Sequence, residues 1–161
     1  MSATAGAVLL WLFVINLGVA FGAGVYELRI VVPTWLTSDQ SGVHWRGDIA
    51  RRDDVGRKFW GFVTTGPLTL ITFANLYAAW YSTGAVRGPW LAAGFLELAG
   101  RLFTFIYFIP AMVRLMNTAD SPAAVATAGR WRTLSYLRLA IAFAAWIAGL
   151  RAFALFYQQS T

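Results

Sequence analysis

Apolar residues along this chain come in four long blocks instead of alternating or recurring at heptad positions. They run about Ala5–Leu36, Phe59–Tyr81, Trp90–Val113 and Leu134–Tyr157. Each is close to or longer than the ~20 residues needed to cross a hydrocarbon core of ~30 Å. The pattern predicts an all-α, polytopic membrane protein. Its four transmembrane helices form a bundle, joined by short loops, in a single domain over residues 1–161. Ala7–Ala20 has the look of a signal-peptide core, but no Lys or Arg precedes it and the apolar run continues well beyond. A retained first helix is therefore the expectation.

The polar stretches between blocks set the orientation. The first loop, about Thr37–Lys58, holds Arg46, Arg51, Arg52, Arg57 and Lys58, and the third, about Arg114–Thr133, holds Arg114, Arg130 and Arg132. The second loop, Ser82–Pro89, holds only Arg87, so eight basic residues face one. The positive-inside rule then puts loops one and three in the cytoplasm and both termini outside, in a multi-pass protein of the cell membrane. Ser38/Asp39 or Ser41 is expected to cap a short amphipathic helix on the membrane surface, with Trp45 and Ile49 toward lipid. Asp120 or Ser121 is expected to cap a further helix with Pro122 in its first turn.

Composition narrows the chemistry. Only 12% of residues are charged, and there is no cysteine, which removes disulfides, thiolate catalysis and thiolate-held metals. The net charge of +6 sits beside the spans, where it points to anionic lipid and not to nucleic acid. His44, with Asp48 one turn on, is only a fragment of a metal site, and a lone surface histidine is the simpler reading. No phosphate-binding glycine loop, dinucleotide fingerprint or nucleophile–base pair is present. Neither a metal nor an organic cofactor is expected.

Ionisable residues inside lipid cost roughly 2.5–3.5 kcal/mol each at a helix centre, so those within the spans are the ones to question. Span one carries Glu27 and Arg29, span three Glu97 and Arg101, and span four Arg138 and Arg151. At ~1.5 Å per residue they fall in two layers. Glu27, Arg29 and Arg138 lie toward the cytoplasmic side, and Glu97 and Arg101 share a helix face nearer the middle. Mutual pairing is expected, either as interhelical ties or as the floor of a polar pocket. Aromatic residues make up 16% of the chain. Trp35, Trp45, Trp60, Trp80, Trp90 and Trp131 fall near span ends, as an interfacial belt would. Phe73, Tyr77, Phe103, Phe105, Tyr107, Phe108 and Trp146 lie deeper, as lipid-facing packing or as the wall of a pocket for a flat ligand. Asn75 adds a donor and acceptor in span two, suited to such a pocket or to an interhelical hydrogen bond. Gly22 and Gly24 fit close helix packing.

Three segments carry a family resemblance. Phe21-Gly22-Ala23-Gly24-Val25-Tyr26-Glu27-Leu28-Arg29-Ile30-Val31-Val32-Pro33 resembles the first helix of the DUF1772, or anthrone-oxygenase-like, membrane proteins. Phe108-Ile109-Pro110 is similar to that family's second helix–proline feature. Arg130-Trp131-Arg132-Thr133-Leu134-Ser135-Tyr136-Leu137-Arg138 is similar to the opening of its last helix, with Ser135 where an asparagine is often found. The resemblance implies oxidation of electron-rich polycyclic phenols by molecular oxygen, without bound metal or flavin. An anthrone must lose a proton before its anion meets oxygen. On that reading Glu97 or Glu27 is the base and Arg101 or Arg138 stabilises the enolate. Asn75, Tyr77, Phe105, Tyr107, Trp146 and Arg29 would surround the substrate.

Three classes of function stay open at this stage. One is a cofactor-independent membrane oxygenase with a hydrophobic small-molecule ligand. The second is a homo-oligomeric module that binds or transports a small solute. The third is a membrane scaffold with a basic face.

Overall fold

The computed structural model describes residues 3–158, which are mostly helical. Four helical rods make the body. The first joins α1 (Ala3–Tyr26), a π-helical segment π1 (Glu27–Val31) and α2 (Val32–Trp35). The second joins π2 (Gly56–Thr65) to α4 (Gly66–Trp80). After a single 3₁₀ turn (Gly84–Val86), the third joins α5 (Arg87–Phe103), π3 (Thr104–Phe108) and α6 (Ile109–Met116). The fourth is one unbroken helix, α7 (Pro122–Gln158), of 37 residues. Three rods are long and apolar enough to cross a membrane: Thr4–Trp35, Gly84–Met116 and Pro122–Gln158. The second differs, because its regular part has only 15 residues, about 22 Å of rise, and π2 carries Arg57, Lys58 and two threonines.

Proline explains where the rods change pitch. Two of the five prolines, Pro89 and Pro122, stand in the first turn of a helix, where no N–H is missed. The other three, Pro33, Pro67 and Pro110, each stand two residues beyond the end of a π segment. A proline inside a helix lacks its N–H and its ring collides with the carbonyl four residues earlier. Widening the preceding turn to the π pattern relieves the collision and keeps the rod continuous. The widened turn also rotates the side chains before it relative to those after it.

Between the first and second rods the chain forms an antiparallel hairpin, β1 (Leu36–Asp39) and β2 (Gly42–Trp45), followed by α3 (Gly47–Asp53). The register pairs Leu36 with Trp45 and Thr37 with His44. Asp39 accepts from both the backbone N–H and the hydroxyl of Ser41, and Gly42 takes the positive φ of 132° that closes the turn. The sequence had pointed to a surface helix capped by Ser38, Asp39 or Ser41. Those residues form the hairpin instead, and the seven-residue helix begins only at Gly47. Trp45 is buried, its indole N–H donating to Leu115 O at 2.9 Å, so it does not face lipid, and Ile49 is half-buried against the same core. At the other loop the expected cap is present. Ala124 N donates to Ser121 Oγ at 3.2 Å, and α7 starts at Pro122, twelve residues before the apolar block does.

Three apolar layers stack along the bundle. At the end where α1 begins and α7 finishes, Leu10, Ala78, Trp90 and Ala152 meet; below them come Phe13, Leu17, Leu68, Ala93 and Ala145. At the hairpin end a larger layer joins Leu28, Val32, Trp35, Trp45, Phe108, Leu115 and Trp131. Small residues let the rods approach. A Cβ on Gly94 would come within 2.5 Å of Leu76, and one on Gly24 within 3.0 Å of Leu139. Gly22 faces open space and is not part of such a contact.

The interfacial-belt reading fails for most of the tryptophans. Trp35, Trp45, Trp90 and Trp131 are all at most 5% exposed. Each indole N–H finds an internal acceptor: Asp53 Oδ2, Leu115 O, Asn75 Oδ1 and Phe108 O respectively. Trp80 alone of the six is broadly exposed.

Candidate functional site

Between the middle layer and the hairpin-end layer lie the buried charges. Glu27 opens π1, and its Oε1 accepts from Trp60 Nε1 of π2 at 2.9 Å. Its other oxygen, Oε2, lies 3.6 Å from Arg138 Nη2 of α7, an ion pair longer than a hydrogen bond. The guanidinium of Arg138 sits 4.2 Å over the ring of Phe108, the last residue of π3, and 5.9 Å from the ring of Trp60. Thus each of the three π segments delivers one side chain to the same arginine. Cation–π contact of this kind offsets part of the desolvation of a guanidinium in an apolar interior.

Glu97 and Arg101 pair on one face of α5, with Arg101 Nε 2.6 Å from Glu97 Oε1. The contact lacks the alignment of a hydrogen bond. Arg138 is near enough to Glu97 and Arg101 to feel their charges, so the two ion pairs neighbour one another. Glu27 and Glu97 are almost wholly buried, while the Arg138 side chain keeps 20% of its surface open. Glu27 Oε2 is buried with no hydrogen-bond partner, while Glu97 Oε1 and Arg101 Nε have none beyond their mutual ion pair.

The structure therefore brings together Glu27, Glu97, Arg101 and Arg138. It does not bring the other candidates to them. Arg29, two residues from Glu27, points to the exposed surface. Tyr77 is 65% exposed beside Tyr81, and Phe105 is also on the outside, as is Phe73. Tyr107 is half-buried among Phe103 and Phe108. Trp146 stacks on Phe21 against Gly18, between the first and fourth rods. Asn75 is completely buried and engaged. Its Nδ2 donates to Leu9 O and Ile71 O at 3.2 and 2.9 Å, and its Oδ1 accepts from Trp90. It ties the first three rods together near the termini. Ser135, in the last helix, donates to Trp131 O one turn back.

Trp60 and Phe108 are the residues of the cluster that the sequence undervalued. Trp60 reads as an interfacial anchor from its place at the start of an apolar block. Its signal is the proline seven residues on, which marks a widened turn. Asn16, a lone amide within the first apolar block, also has a buried Oδ1 without a partner. Comparison of the chain with protein-family models, curated proteins and solved structures finds no match.

Proposed function

We propose that the cluster of Glu27, Arg138, Glu97 and Arg101 is an intramembrane site for a small hydrophobic molecule with an acidic C–H or O–H. On this reading the protein is a cofactor-independent oxygenase of electron-rich polycyclic phenols. The carrying observation is Glu27 Oε2: a buried carboxylate oxygen without a hydrogen-bond donor, 3.6 Å from a guanidinium that itself sits over the ring of Phe108. A structural ion pair gains from satisfying every lone pair, because a buried polar atom left unpaired costs about 1–3 kcal/mol. An acceptor kept free is what a general base requires.

The reaction class comes from the family resemblance. A carboxylate removes one proton from the CH₂ of an anthrone, and the adjacent guanidinium holds the enolate oxygen. The carbanion carbon bonds to O₂, and the resulting hydroperoxide loses water to give the second carbonyl. One O₂ is consumed and one H₂O released; the carbon is oxidised, oxygen is reduced, and the carboxylate returns the proton with the water. The same reading takes the second rod as a fourth crossing. Its outer face, with Phe62, Leu70, Phe73 and Tyr77, is apolar, and Thr64 and Thr72 turn inward. With eight basic residues against one, the hairpin end is the cytoplasmic end.

Oxygen uptake by the protein in detergent with anthrone as substrate tests the proposal. Glu27→Gln should abolish uptake in protein that remains folded and helical at the assay temperature. Loss in Glu97→Gln and Arg101→Leu assigns that pair to the chemistry, and full activity in both removes it. No uptake by the unmodified protein would sink the oxygenase reading.

A further inference from the structure

The only histidine of the chain lies outside the bundle, at the junction of the two loops of the hairpin end. His44 Nδ1 is 2.8 Å from Asp120 Oδ2 in the third loop, and its Nε2 is 2.8 Å from Ser41 Oγ and 3.3 Å from Asp39 Oδ1. The other oxygen of Asp120 accepts from the backbone N–H of Trp45 at 2.9 Å. Counting protons decides the state of the ring. The Ser41 hydroxyl has one hydrogen, and Asp39 Oδ1, at 2.6 Å and acceptor only, takes it. Ser41 Oγ can then only accept from Nε2, while Asp120 can only accept from Nδ1. All these contacts are satisfied together when both ring nitrogens carry hydrogen.

We propose that His44 is an imidazolium that latches the first loop to the third, and that its deprotonation loosens the latch by removing the charge facing Asp120 and the Nε2–H given to Ser41, leaving the Trp45 N–H as the fixed contact. The remaining charges around it do not substitute for that contact. Arg46 pairs with Asp48, and Arg51 gives two hydrogen bonds to Met116 O, so both guanidinia are engaged along the same cleft. The hydrogen bond to Asp120, more than any other contact, raises the pKa of His44 above its ordinary 6.5. The Trp45 N–H and then His44 hold Asp120 below its ordinary 3.8; Ser41 does the same for Asp39. The signs combine into a window. The histidine's contribution is complete below 6.5 and is lost as pH rises through the raised value. Those of the aspartates are complete above 3.8 and are lost as pH falls through the lowered values. The latch is tightest at mildly acidic pH and loosens toward alkaline pH.

With one histidine, the ¹⁵N NMR signals of the imidazole in the full chain belong to His44 alone. At pH 6.5 both nitrogens should show protonated shifts, with a midpoint above 6.5. Hydrogen exchange across 36–45 and 117–121 should lose protection through that same midpoint. Asp120→Asn should lower the midpoint, and His44→Gln should make the loop protection factors, corrected for intrinsic exchange, independent of pH between 5 and 9 while the rods stay protected. A neutral tautomer at pH 6.5, or loop exchange that ignores the imidazole midpoint in the unmodified protein, would overturn the proposal. If His44→Gln fails to fold, the Asp120→Asn midpoint and the unmodified protein still decide it.

Discussion

Two buried polar clusters divide this bundle, and they are built on opposite principles. Near the termini, Asn75 spends both amide hydrogens on carbonyls of two rods and takes the indole N–H of a third. Nothing in it is left over. Toward the hairpin end, Glu27, Arg138, Glu97 and Arg101 bring four ionisable groups together and leave three buried polar atoms without a hydrogen bond. The Asn75 cluster is set on regular α-helix; in the charged one Glu97, Arg101 and Arg138 also stand on α-helix, but Glu27 and the Trp60 and Phe108 rings around Arg138 come from the three π-helical segments. A saturated neutral network serves as a tie, whereas the charged one, with atoms left unsatisfied, is the site proposed above. Removing parts from each should therefore have different consequences.

The largest effect belongs to Arg138. Arg138→Leu strands the carboxylate of Glu27 in the interior and should destabilise the fold by about 3–5 kcal/mol. Combining it with Glu27→Leu should recover most of that loss, since the pair then leaves together. A thermal or detergent-denaturation series on the three variants reads this directly, and equal instability of the single and double variants would mean that the charges are not coupled. Asn75→Ala comes next, at about 1–3 kcal/mol, because the Trp90 N–H loses its acceptor. It should leave any turnover at the charged cluster unchanged. A substrate effect as large as the stability effect would break the division between the two clusters.

Trp60→Phe sharpens the comparison further. It keeps an aromatic ring near Arg138 but deletes the hydrogen bond to Glu27 Oε1, at a cost of about 1–2 kcal/mol. With that bond gone, Glu27 has two free oxygens instead of one, so ligand affinity and the pH profile of turnover should shift. A purely structural role would lower the melting temperature and move neither.

The legibility of these clusters in the sequence follows from their geometry. Glu97 and Arg101 are readable because a four-residue spacing on an α-helix puts two side chains on one face whatever surrounds them. Glu27 and Arg138 are readable because ionisable residues inside lipid seek one another. The faces of the aromatic residues are not readable. In a span that is apolar all round, no periodicity distinguishes lipid from interior. Phe105 and Tyr77 could thus look like pocket walls while lying outside, and Trp35 and Trp131 like an interfacial belt while lying inside. The hairpin was hidden for another reason. Strands of four residues give too short an alternation, and the Asp-Gln-Ser-Gly turn offers caps that suit a helix equally well. Trp60 and Phe108 were obscured by the widened turns, which move a residue off the face that a regular helix would give it.

The smallest expected stability effect tests the link between proline and site. Pro110 is exposed, and replacing it with alanine restores a backbone N–H while loosening the unfolded chain, so the net change should be under about 1 kcal/mol. Without the ring, the preceding turn no longer needs the π pattern, and π3 can relax to α-helix. Phe108 then rotates away from Arg138, and the carbonyl that accepts from Trp131 moves with it. Pro110→Ala should therefore impair ligand binding or turnover far beyond its effect on stability. Pro89→Ala, at a helix start with no π segment before it, should do neither. If the two variants behave alike, the π segments follow from packing and not from proline. The signal that marks Trp60 and Phe108 in the sequence would then be lost.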